Sequence, residues 1–272
     1  MTKRTVVVTG ASSGVGLAAA RQFAAAGDDV VVVGRNAERL AAAAGLVRDA
    51  GDGREPDCFQ ADFTRLDDVR ALAAHLLATY STIDVLANNA GGMVPGYTRT
   101  VDGFESTLQA NHLAPFLLTN LLRERLGGGR VVNTASTGHR MSTLDPDDLV
   151  GSAGGYNGWR AYGSSKAANI LFAAEAARRW PDVLSTSFHP GVVRSNFGSG
   201  PVVKFFYRFM PLLTTPEKAG EVLVWLATTP AEQLTPGAYY VGHARKEPTA
   251  AATDRATAAR LWEASAEAVG LG

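Results

Sequence analysis

The sequence predicts an α/β fold in which helices flank a doubly wound parallel β-sheet of about seven strands, all in a single domain. Short runs of β-branched residues alternate with Ala- and Leu-rich helical segments, the pattern of a parallel sheet joined by crossover helices. Several of these runs lack in-out alternation, so both of their faces should be covered. The chain has 272 residues, 46% of them apolar, which suits one large domain with a substantial core.

Each element follows from its local pattern. The apolar β-branched runs predict strands at 5–10, 29–34, 58–63, 84–91, 130–136, 184–191 and 238–242. The Ala- and Leu-rich segments predict helices at 15–26, 36–50, 65–80, 103–126, 162–180, 216–228 and 254–269. Thr215 followed by Pro216 is typical of a helix cap with proline at the first helical position. Two stretches break the alternation: 137–161, interpreted as an insertion loop, and 192–214, interpreted as a substrate lid.

Composition excludes several functional classes. Basic and acidic residues both number 26, so no excess charge favours nucleic acid or an anionic membrane as a partner. The apolar run Val6–Val8 is too short for a signal peptide, and no run reaches the ~20 residues of a membrane span. A cytoplasmic protein is therefore expected. The single cysteine, Cys58, excludes an internal disulfide and is expected to be buried and inert, and the histidines lack metal-ligand spacing.

A glycine-rich turn carries the strongest local signal. "TGASSGVG" at 9–16 follows the first strand and opens the first helix. Its glycines permit a tight turn and close backbone approach, and the N–H groups of the helix N-terminus can bind a pyrophosphate. Glycines that only turn the chain are the alternative, which the strand–turn–helix setting disfavours. The turn predicts a Rossmann-like dinucleotide site containing Gly10, Ser12, Ser13, Gly14, Val15 and Gly16.

The end of the second strand indicates which dinucleotide binds. NAD sites commonly carry an acidic residue there, about 20 residues after the glycines, for the ribose 2′-hydroxyl. This chain has Arg35 followed by Asn36 instead. A guanidinium can pair with a 2′-phosphate, so NADP is predicted and NAD is less favoured. A solvated arginine at the strand end is the alternative.

Six motifs now support a family resemblance. "TGASSGVG", "NNAG" (88–91), "NHLAPFLLTN" (111–120), "NTAS" (133–136), "YGSSK" (162–166) and "HPGVVRS" (189–195) occur in this order. With them the chain resembles the short-chain dehydrogenase/reductases from end to end. "AYGSSKAANILF", "HPGVVRSNF" and the C-terminal "LWEASAEAVGL" are most similar to the retinol-dehydrogenase-type branch. The resemblance implies an oxidoreductase that acts on a carbonyl or alcohol.

The resemblance also implies site residues. It gives the catalytic positions as Ser136, Tyr162, Lys166 and Asn111. It gives the cofactor positions as Asp62 and Phe63 near the adenine, Asn89, Ala90 and Gly91 at the adenosine ribose, Tyr162 and Lys166, and Pro190, Gly191, Val193 and Ser195 at the nicotinamide carboxamide. The chain departs from the family pattern in having Ser195 in place of threonine, which keeps the hydroxyl, and "TAS" in place of "SS" before the loop.

The chemistry needs a proton donor and acceptor. Tyr162 and Lys166 lie four residues apart, so they share one helix face. A free tyrosine has a pKa of about 10, which is too high for a base at neutral pH, and an adjacent ammonium should lower it. Ser136 would stabilise negative charge on the substrate oxygen. Pro115 should kink the helix and free the Asn111 carbonyl, either for a water-mediated proton relay or only as a structural kink.

The aromatic segment "VVKFFYRFMPLL" (202–213) indicates the substrate class. As a lid it implies a bulky hydrophobic ketone, aldehyde or alcohol. Docking to a membrane surface and packing against a partner subunit are the alternatives, and a homo-oligomer built on helices 103–126 and 162–180 also stays open. The sequence thus predicts an NADP(H)-dependent oxidoreductase. The alternative is a dinucleotide-binding regulatory protein with little turnover.

Overall fold

One sheet organises the chain. The computed structural model describes residues 3–151, 154–192 and 214–271. Within these ranges eight strands pair in the order β3-β2-β1-β4-β5-β6-β7-β8. They are β1 Thr5–Thr9, β2 Asp29–Gly34, β3 Asp57–Gln60, β4 Val85–Asn88, β5 Arg130–Thr134, β6 Leu184–His189, β7 Tyr239–Val241 and β8 Ala244–Lys246. All neighbours are parallel except β7 and β8, which confirms the predicted α/β fold.

Helices connect the strands. The α-helices are α1 Gly14–Ala25, α2 Ala37–Ala50, α3 Leu66–Thr79, α4 Ser106–Leu108, α5 Ala114–Leu121, α6 Gly158–Arg179, α7 Pro216–Thr228 and α8 Arg255–Ala268. A π-helical turn, Gln109–Leu113, joins α4 to α5. In the described part of the chain, 3₁₀ turns occur at Arg123–Arg125, Thr137–Met141, Ala231–Gln233 and Ala250–Ala252. No helix in the described ranges has the combined length and hydropathy that a bilayer span requires.

Capping side chains set where helices begin. The Thr215 hydroxyl accepts a hydrogen bond from the Lys218 N–H at 3.3 Å, and Pro216 is the first residue of α7, as predicted. Asn157 accepts the N–H groups of Trp159 and Arg160 at 3.0 and 3.1 Å. This cap starts α6 four residues earlier than predicted, so Tyr162 lies one turn inside the helix and the loop after β5 is shorter than 137–161.

Three sequence predictions need correction. The strand β8 was missed because its three residues are all exposed and carry no apolar pattern. The predicted helix 103–126 is divided: the Ala114 N–H bonds to the Gln109 carbonyl five residues back, and Pro115 lies in the first turn of α5, where its missing N–H is not needed. Cys58 is exposed because β3 is the edge strand of the sheet.

The sheet separates two apolar layers. Alternate residues of β1 point to opposite faces: Val6 and Val8 pack with α1, α2 and α7, whereas Val7 packs with α3, α5, α6 and α8. All three valines are fully buried. Coverage on both faces explains why the central strands lack in-out alternation.

The C-terminal helix α8 completes one layer. Its Trp262 ring packs against Phe116 of α5, Phe172 of α6 and Trp180, with centroid distances of 5.0, 5.7 and 5.1 Å. The Arg179 guanidinium lies 4.8 Å from the same ring. The sequence left these helices facing either solvent or a partner subunit. In the structure, α8 of the same chain covers this part of their surface.

Replacing this tryptophan tests how much of the fold depends on α8. Trp262→Ala should lower the free energy of unfolding by about 3 to 5 kcal/mol, because it deletes a large buried side chain. Trp159→Ala is the matched control, since Trp159 is 50% exposed whereas Trp262 is 7% exposed. The control should change stability by less than about 1 kcal/mol. Urea unfolding measures both variants, and equal losses would contradict this packing.

Candidate active site

The predicted site residues meet at one edge of the sheet. Parallel strands bring their carboxyl ends to the same edge, and the sheet order reverses between β1 and β4. The turns that follow β1, β4, β5 and β6 carry Gly10, Asn89, Ser136 and Pro190, respectively. The structure therefore assembles the cofactor and catalytic candidates at the topological switch point, where ligands bind in doubly wound sheets.

The glycine-rich turn packs closely on its neighbour. Gly10 has φ +67°, and a Cβ there would lie 2.8 Å from Cα of Ala90. A Cβ on Gly16 would lie 2.5 Å from the carbonyl oxygen of Gly10. Gly14 has φ +57° but no atom within 4 Å of its Cβ position. The turn thus packs tightly against the protein at Gly10 and Gly16, and it has free space at Gly14. Gly14 is the first residue of α1, where the helix N–H groups can bind a phosphate. These residues fit a dinucleotide.

Thr9, which sequence reasoning missed, joins the turns after β1 and β4. Its hydroxyl donates to the Ala87 carbonyl at 3.0 Å and accepts the N–H groups of Asn89 and Ala90 at 2.9 and 3.0 Å. The Asn89 amide in turn donates to the Thr9 carbonyl at 2.9 Å. The threonine before Gly10 was the available signal. Asn89 therefore shapes the turn directly, apart from any contact with a ribose.

The end of β2 presents an exposed arginine. Arg35 forms no ion pair with another described residue, and Ser12 packs against the adjacent Gly34, whose Cβ would lie 3.1 Å from the Ser12 hydroxyl. Asn36 is exposed and its side-chain oxygen caps α2 by accepting the Arg39 N–H at 2.9 Å. Arg39, also exposed, is a further basic residue that the sequence analysis did not single out.

The adenine candidates follow β3. One oxygen of Asp62 accepts the N–H and the hydroxyl of Thr64 at 3.0 and 2.8 Å, so this carboxylate orders its own turn. Phe63 is buried in the core. The structure places both residues at the same sheet edge as the glycine-rich turn.

Ser136 lies directly after β5. Its side-chain oxygen accepts the Gly138 N–H at 3.0 Å and caps the 3₁₀ turn. A Cβ on Gly138 would lie 3.3 Å from this oxygen and 3.1 Å from Cε1 of Tyr162. The hydroxyl and the Tyr162 ring therefore flank the same small space. Because the Ser136 oxygen accepts from Gly138, its own hydrogen is available for a substrate oxygen.

Lys166 lies beside the Tyr162 ring. Its amine is 5.5 Å from the ring centroid and donates to the Thr134 carbonyl at 3.0 Å. The side chain is buried, and loss of hydration lowers the pKa of Lys166 to about 8. At neutral pH the amine still carries its charge for most of the time. The predicted Tyr–Lys pair is thus brought together on one face of α6.

Asn111 connects two parts of the site from the π turn. Its side-chain oxygen accepts the Gly92 N–H at 2.8 Å, and its amide donates to the Gly92 carbonyl and the Ser165 hydroxyl at 2.9 and 2.8 Å. A Cβ on Gly91 would overlap that oxygen and would lie 3.7 Å from the Lys166 amine. Asn111 therefore lies next to Lys166 and fixes the loop after β4 to α6.

The loop after β6 is described only at its two ends. Gly191 has φ +88°, and a Cβ there would overlap the Thr214 hydroxyl oxygen. The Thr214 N–H donates to the Val192 carbonyl at 3.0 Å, which joins both ends of the segment. Val193 and Ser195, and all but the ends of the predicted lid 192–214, lie outside the described residues.

Two exposed apolar residues lie on the elements that carry Tyr162 and Ser136, and sequence reasoning missed them. Gly163 lies four residues after Trp159 on α6, and its Cβ would lie 2.7 Å from the Gly138 carbonyl and 3.1 Å from the Met141 carbonyl carbon. Trp159 and Met141 thus lie near the contact between α6 and the turn after Ser136. They are 50% and 42% exposed. No cluster of three or more potential metal ligands occurs among the described residues.

Comparison with known proteins agrees with this geometry. A family model described as short chain dehydrogenase matches residues 4–200. The chain is 52% identical over 268 residues to a proposed daunorubicin C-13 ketoreductase of Streptomyces sp. (strain C5). The aligned region covers 98% of this chain and 93% of that protein. It is 35% identical over 289 residues to retinol dehydrogenase 13 of Homo sapiens, covering 98% and 85%.

A solved structure shows the same architecture. The crystal structure of an uncharacterized protein from Mycobacterium Paratuberculosis aligns with a TM-score of 0.82 and 31% sequence identity, over 99% of this chain and 94% of that one. Sequence and structure are thus similar along almost the whole length of these relatives. The chain therefore belongs to the short-chain dehydrogenase/reductase family of NAD(P)-binding oxidoreductases, in its retinol-dehydrogenase-like branch.

Proposed function

We propose that the protein is an NADP(H)-dependent oxidoreductase that interconverts a hydrophobic ketone or aldehyde with its alcohol. The observation that carries this proposal is the buried Lys166 amine, which lies 5.5 Å from the centroid of the Tyr162 ring. Burying a charge costs free energy, so a buried ammonium indicates a functional site, and this one lies beside the phenol that would exchange protons. Ser136 and Asn111 complete the proposed catalytic set.

The chain's own residues would perform the acid–base work. A bound reduced nicotinamide supplies the hydride when the carbonyl is reduced. Tyr162 donates its phenolic proton to the substrate oxygen, and the Lys166 ammonium stabilises the phenolate that remains. Ser136 donates its hydroxyl hydrogen to the same oxygen and stabilises the developing charge. In the reverse direction Tyr162 accepts the alcohol proton. A relay through the Asn111 carbonyl and water stays part of the proposal.

The cofactor preference rests on the end of β2. Arg35 is exposed and has no ion pair with a described residue, so its guanidinium is available to a 2′-phosphate. The Ser12 hydroxyl lies beside Gly34 and Arg39 follows within one helical turn, which adds a hydrogen-bond donor and a second positive charge. The turn at 10–16, Asn89–Gly91 and Lys166 would hold the remainder of the dinucleotide.

The substrate class rests on two observations. Trp159 and Met141 present exposed apolar surface on α6 and on the turn after Ser136, the elements that carry the proposed catalytic residues, which suits a bulky hydrophobic substrate. The relative at 52% identity is named for reduction of a ketone of daunorubicin. A large polycyclic ketone is accordingly the first substrate to test. Screening NADPH oxidation against such ketones, retinal and simple aldehydes tests the proposal, and no turnover on any of them would contradict it.

Removing one hydroxyl tests the acid–base role. Tyr162→Phe should lower kcat by about 10²- to 10⁴-fold, because no phenol remains to exchange the proton. NADPH binding, followed by cofactor fluorescence, should be retained. Tyr80→Phe is the matched control, because the Tyr80 hydroxyl bonds to Asp57 at the opposite sheet edge. Activity that survives in Tyr162→Phe would reject this mechanism.

The pH dependence tests the lysine. Burial lowers the pKa of Lys166 to about 8, so its charge is present below that pH and is lost as pH rises through it. We expect kcat/KM for carbonyl reduction to be level near neutral pH and to fall above about pH 8. Lys218→Met, which removes an exposed lysine, should leave this profile in place. A profile that stays level to strongly alkaline pH would contradict the assignment.

Replacing the arginine tests the cofactor preference. Arg35→Asp should raise the KM for NADPH by about 10- to 100-fold, because a charge-assisted contact becomes a repulsion. The KM for NADH should fall, since the carboxylate can accept the ribose 2′-hydroxyl. Arg255→Asp, at the start of α8, is the control and should change neither value. An unchanged ratio of the two KM values would reject NADP selection by Arg35.

A further inference from the structure

Lys166 shares its hydrogen-bond acceptor with a second buried side chain. Its amine and the side-chain amide of Asn169 both donate to the Thr134 carbonyl oxygen, at 3.0 and 3.1 Å. Both side chains are buried, and they lie three residues apart on one face of α6. A carbonyl oxygen has two lone pairs, so it can accept both bonds. With one lone pair held by Asn169, the direction from which the flexible lysine can approach is restricted.

The orientation of the Asn169 amide decides whether this arrangement works. If the amide turned over, its oxygen would face the Thr134 oxygen and repel it. The amide nitrogen faces the Thr134 carbonyl, so the amide oxygen is directed away from it. Neither this oxygen nor Nδ1 of His112 has a hydrogen bond within the described ranges. Burial lowers the pKa of His112 to about 4. The nearby Asn169 side chain acts in the opposite direction and raises that pKa, but by less than burial lowers it. The two side chains are therefore close enough to interact, although no regular hydrogen bond joins them.

The C-terminal helix contacts the other ring nitrogen of this histidine. Nε2 of His112 lies 2.9 Å from the hydroxyl of Ser265 in α8. When the hydroxyl donates to Nε2, the ring proton is on Nδ1 and points to the acceptor oxygen of Asn169. Ser265 lies three residues after Trp262, on the face of α8 that packs against α5 and α6. Buried polar groups thus extend from Ser265 through His112 and Asn169 toward Lys166, with hydrogen bonds at both ends and none between His112 and Asn169.

We propose that Asn169 is a positioning residue for Lys166, held in its orientation by His112 and Ser265, so that α8 supports the acid–base pair. The proposal rests on the proposed function, because it assumes that Lys166 acts on Tyr162. The surroundings argue for this role over packing alone. Phe116, Phe172 and Trp262 line the space around His112, so an apolar side chain would fill it without burying polar atoms. The imidazole and the amide can orient each other by polar contacts, which apolar side chains in the same space could not do.

Kinetics of two variants and their combination test the proposal. Asn169→Leu should lower kcat by about tenfold, because Lys166 loses its fixed approach, with both KM values within about twofold of wild type. His112→Phe should cause a smaller loss of kcat. The double variant should be no worse than Asn169→Leu alone, because both changes act through one chain of contacts. Asn120→Leu, the same substitution at a part-buried asparagine bonded to the Phe116 carbonyl, is the control and should keep wild-type kcat.

A readout without cofactor separates this proposal from the proposed function. In the ligand-free wild type, the two Hε protons of a fixed Lys166 should have different NMR shifts, whereas a mobile side chain averages them. The signal is identified by its loss in Lys166→Arg. Asn169→Leu should bring the two shifts together, and His112→Phe should reduce their separation. If the wild type lacks turnover, the proposed function fails, and this comparison still decides whether Asn169 holds Lys166.

Three results would overturn the inference. They are wild-type kcat in Asn169→Leu, additive losses in the double variant, and separate Hε shifts that persist in both single variants. If Asn169→Leu does not fold, wild-type kcat together with wild-type shifts in His112→Phe would overturn it as well.

Discussion

The hydrogen bond from Lys166 to the Thr134 carbonyl oxygen, at the end of β5, is the contact on which the proposed active site depends. A lysine amine removed from water must find an acceptor in the protein, and Lys166 finds it there. This bond fixes the position of the amine near the carboxyl end of β5 and hence beside the Tyr162 ring. Ser136 follows Thr134 by two residues, so the same strand end also positions the hydroxyl that flanks the ring. One strand terminus therefore positions the proposed acid–base pair and the Ser136 hydroxyl beside it.

Close backbone packing makes room for the other half of the site. The turn after β1 can touch Ala90 only because Gly10 lacks a Cβ, and Thr9 bonds the turns after β1 and β4 to each other. Asn111 then connects the loop after β4 to α6 through Gly92 and Ser165. The dinucleotide turn and the catalytic helix are thus parts of one bonded framework. A displacement of the turn would therefore also shift the helix, and a displacement of the helix would shift the turn.

The sequence predicted the parts of this site that depend on local pattern. The alternation of strands and helices, the turn at Gly10 and the Tyr162–Lys166 pair are all visible in short stretches of the chain. It did not reveal β8, whose exposed residues have no apolar period, or the π turn, which depends on the backbone around Asn111. The contacts of Asn169 and His112 were also out of reach, because they join residues from distant segments. The helix cap at Asn157 could have been read from the sequence.

The two histidines around Ser136 are neutral, which favours the charged Lys166 that the proposed function requires. His139 donates Nδ1–H to the Ser136 carbonyl at 2.7 Å and accepts the Thr249 N–H at Nε2. His189 accepts the Thr137 N–H through Nδ1. Burial lowers the pKa of both rings, to about 4 for His189, so both are neutral at physiological pH. Charged imidazoles there would repel the lysine and lower its pKa further. Neutral rings, whose hydrogen bonds set their tautomers, avoid this repulsion and favour the Lys166 ammonium that the proposed mechanism needs to stabilise a phenolate.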